Sequence, residues 1–515
     1  MATVQPPLAR HYHERTKYSP ETLSRHAGDL DFSQRPAIYK DYRLGQTFSL
    51  KEYMEEESGA SSPRVRPPQE KQQWQRLSRL LYLSYGITGV VNYPGQPFYM
   101  RSAPSAGGLY PAEVYLISRA DSLLPAGLYN YQVKNHSLIQ FWQSNVWSKL
   151  QEACLWHPSL ESTRLVVVIT AIFFRSSWRY RDRAYRRICL DSGHLIGNLE
   201  LAANLNDYHL HLIGGFLDEQ MNDLLYLDGR QESTLAIAPL ADLLEVEQNL
   251  PSLRTTLPSP ICIDYPDLSD GELLTYIHQK SRITSTENIY RQPEPEDPPE
   301  EEQSDKYNFP FSSKISLEAQ PMDWQGGLKG LETAILRRRS TRDYSGQSIH
   351  LHQLAALLSF TYHPEYYQEQ GLDSYPDFFD LSAIETFIAV SDVAGLEEGC
   401  YYYAPQAHEL RQIRFKNFRE ELHYLCLNQD LGRDAAAVIF HTADLESAIT
   451  THGERAYRYL HLDAGHLGQR LNLAATHLNL GVSGIGGFFD DQVNELLGIP
   501  LEEAVLYITT LGQPK

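Results

Sequence analysis

The sequence contains little cysteine, and its cysteines are scattered along the chain. There are five, an odd number, and none of them shows the C-x-x-C spacing that is typical of a thiolate metal site. They are also too sparse to form the disulfide framework of a small secreted domain. We therefore expect neither a disulfide framework nor a zinc site. The cysteines are Cys154, Cys189, Cys262, Cys400 and Cys426.

Long apolar runs and an excess of positive charge are also missing. No run is long enough to span a bilayer, and the residues from Met1 to Pro7 do not form a signal peptide. We therefore expect a cytoplasmic protein with no membrane partner. The chain has 45 Lys and Arg against 65 Asp and Glu, a net charge of −20, which argues against nucleic acid as a partner.

The composition is that of a globular protein, with 42% hydrophobic and 11% aromatic residues. A chain of 515 residues is too long for a single core, so we expect two to four domains.

An internal repeat gives the domain organisation. Tyr185 and Tyr457 are 272 positions apart, and a whole series of residues recurs at the same offset without a gap. Chance does not produce such a register, so the chain contains two copies of one domain. The matching stretches include Leu190-Asp191, Gly193-His194-Leu195, Leu201-Ala202-Ala203 and Gly214-Gly215-Phe216, which return as Leu462-Asp463, Gly465-His466-Leu467, Leu473-Ala474-Ala475 and Gly486-Gly487-Phe488.

A proline-rich acidic stretch separates the two copies. Residues 291–302 contain four prolines and six acidic residues, a composition that cannot pack a core and is typical of an extended tether. We therefore predict an N-terminal domain over 1–285, a linker over 286–325 and a C-terminal domain over 326–515.

Within each copy, helical and strand patterns alternate irregularly. Leu195, Leu199 and Ala202 give one buried helix face, whereas Leu165–Thr170 and Ala436–Phe440 are apolar runs typical of strands. The pattern favours an α+β fold over a doubly wound parallel sheet. A duplicated domain often reproduces a homodimer within one chain, so we expect an intramolecular pseudo-dimer with ligands at its interface.

Two segments, one in each copy, indicate a ligand site. Pro104-Ser105-Ala106-Gly107-Gly108 is a small-residue turn that lets a flat or phosphorylated ligand approach the backbone. Arg337-Arg338-Arg339-Ser340-Thr341-Arg342 is a basic cluster in an acidic chain, and guanidinium groups match phosphate geometry. Each segment also has an ordinary structural interpretation, as a strand-entry turn and as a helix C-terminus.

The two copies have diverged at these segments. We predict that Leu381–Glu385 is the shortened counterpart of the Pro-Ser turn, and that Arg35–Lys40 takes roughly the place of the arginine cluster in the first copy. Because the intact halves lie in different copies, we expect one complete site and one degenerate site.

The sequence resembles the flavin-dependent nitroreductase superfamily, and within it the SagB/ThcOx-type dehydrogenases that oxidise azolines in ribosomal peptides. The resemblance rests on Tyr85–Gly89, Arg101–Pro111 and Arg183–Arg186 before Asp191–His194. It implies a nitroreductase-like fold and one FMN per chain at the interface of the two copies. It further implies a small-molecule or peptide substrate, and leaves further dimerisation open.

The resemblance also assigns residues to the cofactor. It implies that Arg338, Arg339, Ser340 and Arg342 hold the phosphate and ribityl chain. Pro104, Ser105 and Gly107 would lie against the flavin from the other copy. Gly486 and Gly487 would present backbone N–H groups to the flavin N5 and O4 edge, although a plain tight turn is the alternative interpretation.

Related azoline dehydrogenases carry a Lys-Tyr pair where this chain has Arg179-Tyr180. The resemblance therefore implies a catalytic role for these two residues. A guanidinium is not a base, so Tyr180 would have to act with Arg179 stabilising its phenolate. The alternative is that both are surface residues of an arginine-rich loop. No metal is expected, because His194 and His466 lack further ligands and suit buried histidines at an interface.

The sequence is compatible with three functions. The first is an FMN-dependent oxidoreductase that dehydrogenates a heterocycle or peptide. The second is a nitro or quinone reductase driven by NADH or NADPH. The third is a flavin-free binding scaffold, suggested by the arginine at position 179 and by the degenerate half-sites.

Overall fold

A computed structural model describes residues 5–25, 30–54, 69–93, 96–120, 123–245, 253–285, 305–308, 312–317 and 321–515. The proline-rich stretch 291–302 lies outside the described residues, and the three domain limits stay predictions. None of the described helices is long and apolar enough to cross a membrane.

The first copy contains nine helices and nine strands within the described residues. The helices are α1 (Leu8–Arg15), α2 (Pro20–Arg25), α3 (Gln69–Tyr85), α4 (Trp147–Ala153), α5 (Ser159–Ser162), α6 (Phe173–Tyr180), α7 (Ala184–Asn204), α8 (Asp218–Leu224) and α9 (Leu273–Lys280). The strands are β1 (Gln46–Ser49), β2 (Ile87–Tyr93), β3 (Gln96–Arg101), β4 (Ala112–Ser118), β5 (Gly127–Gln132), β6 (Ser137–Trp142), β7 (Leu165–Ile172), β8 (Tyr208–Leu210) and β9 (Glu232–Asp242).

The second copy follows the same plan over its described residues. Its helices are α10 (Lys329–Arg337), α11 (Leu351–Tyr362), α12 (Arg419–Leu425), α13 (Asp430–Asp434), α14 (Leu445–His452), α15 (Ala456–His477) and α16 (Asp490–Leu497). Its strands are β10 (Lys314–Ser316), β11 (Ile349–His350), β12 (Glu385–Val390), β13 (Val393–Ala394), β14 (Gly399–Ala404), β15 (Glu409–Arg414), β16 (Ala437–Asp444), β17 (Gly481–Ile485) and β18 (Glu503–Gly512).

Each copy is built on a seven-stranded sheet, and the two sheets have equivalent strand orders. The first runs β1-β6-β5-β4-β7-β9-β8 and the second β10-β15-β14-β12-β16-β18-β17. The neighbouring strands in both are antiparallel. This arrangement confirms the α+β prediction, and β7 and β16 confirm the two predicted strands.

The two copies meet through α7 and α15, which cross at a pair of equivalent glycines. A Cβ built on Gly193 would lie 2.1 Å from the Leu462 carbonyl oxygen, and one built on Gly465 would lie 2.2 Å from that of Leu190. Only glycine allows this backbone contact. The reciprocal contact shows that the crossing lies on a pseudo-twofold axis, so the tandem copies form an intramolecular pseudo-dimer.

The sheets correct two of the equivalences predicted from sequence. Lys40 precedes β1 and forms an ion pair with Glu232, and Lys306 precedes β10 and forms an ion pair with Glu503. Arg35–Lys40 therefore matches the segment around Lys306, not the arginine cluster, which follows β10. The sequence comparison failed here because both segments are short and basic.

The second correction concerns the counterpart of the Pro-Ser turn. Glu113 pairs with Thr170, and Glu385 pairs with Thr442, so Glu385 already lies within the equivalent strand. The true counterpart of the turn lies a few residues earlier, around Phe379. The turn was replaced by different residues rather than shortened.

Candidate functional site

One face of α7 organises the candidate site. Arg187, Asp191 and His194 follow each other at spacings of four and three, so their side chains line up along the helix. All three are buried. Arg187 reaches a turn of the second copy, Asp191 reaches the Pro-Ser turn of the first copy, and His194 reaches a strand of the second copy.

Asp191 fixes the Pro-Ser turn. Its carboxylate accepts hydrogen bonds from the Ser105 hydroxyl at 2.6 Å and from the Ala106 N–H at 3.1 Å. Burial raises the pKa of Asp191 to about 7, although these bonds and Arg187 oppose the rise. The following residues, Gly107 and Gly108, have φ values of +65° and +64°, which favour glycine. The turn is thus held at one defined position on α7.

Tyr180 lies directly over this turn. A Cβ built on Gly107 would lie 2.7 Å from the Tyr180 hydroxyl oxygen and 3.5 Å from Cδ of Arg179. The structure therefore brings the Arg179-Tyr180 pair to the Pro-Ser turn, with Tyr180 half-buried and Arg179 exposed. The residue that follows, Arg181, has a φ of +48°, a strained conformation of the kind found at functional sites.

The ionisation of Tyr180 differs from the sequence-based interpretation. The guanidinium carbon of Arg187 lies 3.7 Å from the centre of the Tyr180 ring, and that of Arg179 at 5.7 Å. Burial nevertheless raises the pKa of Tyr180 above its ordinary value, against the opposing effect of both arginines. The Tyr180 hydroxyl is therefore protonated at neutral pH and suits a hydrogen-bond or proton donor.

Arg338 connects the arginine cluster to the first copy. Its Nε donates to the Ser102 carbonyl at 2.7 Å and its Nη2 to the Arg101 carbonyl at 3.2 Å, two residues before the Pro-Ser turn. Its Nη1 is buried and has no partner among the described residues. Burial, with Arg339 and Arg342 nearby, lowers the pKa of Arg338 to about 10. A buried guanidinium with a free donor is suited to an anion.

The other residues of the cluster have different surroundings. Arg339 donates from Nη2 to the Thr88 carbonyl at 2.6 Å, so part of its guanidinium binds the β2–β3 hairpin instead. Ser340 is half-buried, and Arg342 is exposed. Thr341 exchanges two hydrogen bonds with Val482 of β17, at 2.8 and 3.0 Å. This anchors the cluster beside the strand that leads to Gly486 and Gly487.

Gly486 and Gly487 face Arg187. A Cβ built on Gly486 would lie 3.2 Å from Nε of Arg187, and one built on Gly487 would lie 3.2 Å from its Nη2. Among the described residues, the N–H groups of this turn donate no hydrogen bond to any acceptor. Nη1 of Arg187 is also buried without a partner in this part of the structure. The turn therefore offers unused donors to a ligand.

The equivalent turn of the first copy is occupied by the protein itself. The N–H groups of Gly214 and Gly215 donate to the Thr255 carbonyl at 2.7 and 3.2 Å. A Cβ built on Gly214 would lie 2.7 Å from both the Phe379 and the Tyr459 rings, which stack on each other with centres 5.3 Å apart. A flat ligand has no room at this turn.

Three replacements account for the blocked half-site. At the 272-residue offset, Gly107 corresponds to Phe379 and Arg187 to Tyr459. Tyr180 corresponds to His452, whose Nε2 lies 2.7 Å from the Asp380 carboxylate. Asp463 still binds the backbone there, through the Phe379 and Asp380 N–H groups, as Asp191 does in the first copy. The scaffold is kept while the ligand space is filled.

The histidines of the repeat are buried at the interface. Nδ1 of His194 lies 2.9 Å from the Gln469 side-chain oxygen and Nε2 lies 2.9 Å from the Tyr507 hydroxyl. Burial lowers the pKa of His194 to about 3, so the ring is neutral. The part of the chain that the structure describes contains no group of side chains able to hold a metal ion.

Sequence reasoning gave no role to three residues of the site, Arg187, Asp191 and Tyr18. Arg187 could have been found, because it is replaced by Tyr459 within an otherwise well-matched stretch of the repeat. Tyr18 lies outside the stretch that recurs at the 272-residue offset. Its Cε2 would lie 3.8 Å from a Cβ built on Gly487, so the N-terminal segment contributes to the site as well.

Comparison with known proteins establishes the family. The sequence profile of the Nitroreductase family matches residues 77–239 and 335–513, so the chain belongs to that family and carries two copies of its domain. A nitroreductase-family crystal structure from Anabaena variabilis ATCC 29413 is 58% identical, with a TM-score of 0.93, and the match covers 99% of this chain and 100% of that one.

Two curated proteins are similar over shorter stretches. A nitroreductase-family protein of Methanocaldococcus jannaschii is 32% identical over 183 residues, which cover 36% of this chain and 90% of that protein. The trifolitoxin-processing protein TfxF of Rhizobium leguminosarum bv. trifolii is 26% identical over 132 residues, 25% of this chain and 43% of that protein.

Proposed function

We propose that the protein is an FMN-dependent oxidoreductase with one flavin at the interface of its two copies. The flavin, when bound, supplies the hydride acceptor or donor at its N5 atom. Arg338 and Arg342, with Ser340, would hold the phosphate. Arg339 would support it from the hairpin side, since its guanidinium is partly engaged with Thr88.

The asymmetry of the two glycine turns carries this proposal. The N–H groups of Gly486 and Gly487 are unused, while those of Gly214 and Gly215 are taken by Thr255. A donor fixed at the flavin N5 edge stabilises the charge that develops on reduction. One half-site therefore fits the cofactor and the other excludes it, which argues for one FMN per chain.

The residues of the chain position the ligand from both sides. Ser105, held by Asp191, and Pro104 fix the turn that would lie against the flavin. Gly107 leaves the space into which Tyr180 reaches. Because the pKa of Tyr180 is raised, this hydroxyl would donate a hydrogen bond to a substrate that is oxidised, and would give a proton to a substrate that is reduced. The exposed Arg179 would place a positive charge at the entrance.

Within the family, we favour azoline-to-azole dehydrogenation of a peptide or a related heterocycle. The support is the resemblance of Tyr85–Gly89, Arg101–Pro111 and Arg183–Arg186 to SagB/ThcOx-type dehydrogenases. The chain departs from them at Arg179, where those enzymes carry a lysine. The similarity to a trifolitoxin-processing protein supports the same function. A nitro or quinone reductase driven by NADH or NADPH is the second candidate, because the 32% identical archaeal relative is classed with the nitroreductases.

Flavin titration of matched variants tests the proposal. We expect the wild type to bind one FMN, and both Arg338→Ala and Gly107→Val to lose it. Arg337→Ala and Gly346→Val are the controls, because Arg337 is exposed and the space beside Gly346 is open. Normal FMN binding by both test variants would contradict the interface site. A folded wild type that takes up no FMN would favour the flavin-free scaffold.

Anaerobic reduction then separates the two candidate reactions. Rapid bleaching of the bound flavin by NADH or NADPH would favour the reductase. Bleaching by a thiazoline-containing peptide, with no response to nicotinamides, is the result expected of a dehydrogenase.

A further inference from the structure

Tyr18 is held at the open half-site by the second copy. Its backbone N–H donates to the Asp490 carboxylate at 2.9 Å, and it forms a parallel bridge with Phe489. This places its ring beside Gly487, at the turn with unused N–H donors. The N-terminal segment of the first copy thereby reaches across the pseudo-dimer to the candidate flavin site.

Arginines surround the Tyr18 ring. The guanidinium carbon of Arg183 lies 4.2 Å from the ring centre, and Arg187 lies beside the hydroxyl. Asp490 forms ion pairs of 2.7 Å with Arg183 and with Arg186. Its carboxylate is thus shared by two of the three arginines that act on Tyr18, and Arg187 is the third. Arg186 also lowers the pKa of Tyr18. The cavity beside Tyr18 is lined by further ionisable groups, which are Tyr180, Arg15, Lys17, Arg179, Arg181, Asp182 and Asp270.

These charges affect Tyr18 and Tyr180 in opposite ways. Burial raises the pKa of Tyr18, but the positive charges of Arg187 and Arg183 outweigh it, so the pKa lies below its ordinary value. Burial prevails at Tyr180, where the pKa is raised. Both tyrosines line one cavity of about 130 Å³ together with Arg179. Two phenols whose pKa values are shifted in opposite directions thus face the same small space.

The blocked half-site provides an internal comparison. Ile283 forms a parallel bridge with Leu217, and its N–H donates to the Asp218 carboxylate at 2.9 Å. Asp218 is the counterpart of Asp490 and likewise binds two arginines, Arg455 and Arg458. Ile283 therefore takes the place of Tyr18 at the half-site that Phe379 and Tyr459 fill. The phenol is found only where the ligand space is open.

We infer that Tyr18 is a catalytic proton acceptor for substrate oxidation at this site. The inference rests on the proposed flavin-dependent dehydrogenation. In that reaction one ring carbon of the azoline gives a hydride, with its electron pair, to flavin N5. The adjacent carbon gives a proton to the Tyr18 phenolate oxygen, and the electrons of that C–H bond form the new double bond. Tyr18 then returns the proton to water through the cavity.

The first test is a pH titration of tyrosinate absorbance in the flavin-free protein. We expect wild type and Tyr180→Phe to contain a tyrosine that ionises at lower pH than the others. We expect Tyr18→Phe to lack this tyrosine. Persistence of this early step in Tyr18→Phe would overturn the inference without reference to flavin binding or turnover.

The second test follows bleaching of the bound flavin by a thiazoline-containing peptide across pH. The wild-type rate should rise with pH as Tyr18 ionises, and Tyr18→Phe should lose this rise and slow by about 10²-fold or more. Unchanged FMN affinity in Tyr18→Phe shows that the site is intact. An unchanged pH profile in a variant that binds FMN overturns the role of Tyr18 alone. A wild type that binds FMN but is not bleached by the peptide overturns the dehydrogenase function, and the role of Tyr18 with it.

Discussion

Replacing Gly107 by alanine tests whether the Pro-Ser turn positions Tyr180. The new Cβ would lie 2.7 Å from the Tyr180 hydroxyl, whereas carbon contacts are comfortable at about 3.5 Å or more. The hydroxyl must therefore move by about 1 Å. Because it is the end of a side chain, it can yield without disrupting the backbone. A displacement of about 1 Å at a reacting group costs about 10²-fold in rate.

Gly346→Ala is the matched control. Gly107 and Gly346 have similar φ values, +65° and +73°, but a Cβ at Gly346 meets nothing within 4 Å. Both substitutions should lower the free energy of unfolding by about 1–2 kcal/mol, the cost of a left-handed conformation in a residue with a side chain. Only Gly107→Ala should also slow turnover.

The assay combines urea unfolding with single-turnover bleaching of the bound flavin. We expect equal losses of unfolding free energy in the two variants and a rate about 10²-fold lower in Gly107→Ala alone. Equal rates in Gly107→Ala and Gly346→Ala would refute the positioning of Tyr180 by this turn.

Two further predictions concern the interface and the pH dependence. Gly465→Ala should lower the free energy of unfolding by about 3 kcal/mol or more, because its Cβ would lie 2.2 Å from the Leu190 carbonyl oxygen. Gly326→Ala, whose Cβ would lie in open space, is the control in urea unfolding. Equal losses in the two variants would contradict the close helix crossing. Lowering the pH from 7 to 5 should destabilise the fold, because burial lowers the pKa values of five buried histidines. Their neutral rings contribute stability that is complete above the unfolded-state pKa of 6.5. This stability is lost as the pH falls. The three whose pKa is lowered to about 3, His194, His441 and His461, each cost about 2 kcal/mol over this interval. Each of Asp191 and Asp463, whose pKa values are raised to about 7, offsets this by a gain of about 2 kcal/mol. Stability that rises on acidification would contradict this balance. The histidines are His13, His194, His278, His441 and His461.

Much of the architecture could be predicted because repetition leaves a direct trace in the sequence. The constant offset between Tyr185 and Tyr457 identified two copies, and the apolar runs gave β7 and β16. The expectation of one complete half-site also followed from comparing the copies. Short segments such as Arg35–Lys40 were matched wrongly, because basic residues near a strand serve many purposes and only strand pairing fixes their place.

The chemistry of the site was harder to predict, because it depends on burial and on contacts between distant segments. The sequence shows an arginine beside Tyr180 and suggests a phenolate, but the cost of burying a charge prevails there. At Tyr18 the positive charges outweigh the effect of burial on the pKa, because Arg183 and Arg187 come together around its ring. No spacing in the sequence reveals that residues so far apart share one cavity.

The most direct test of the account is the number of flavins bound per chain. The purified protein, saturated with FMN, would be freed of excess ligand and heated, and the released flavin counted against protein. One FMN per chain is the predicted result, because Phe379, Tyr459 and Thr255 fill the second half-site. Two per chain, or none, would contradict it.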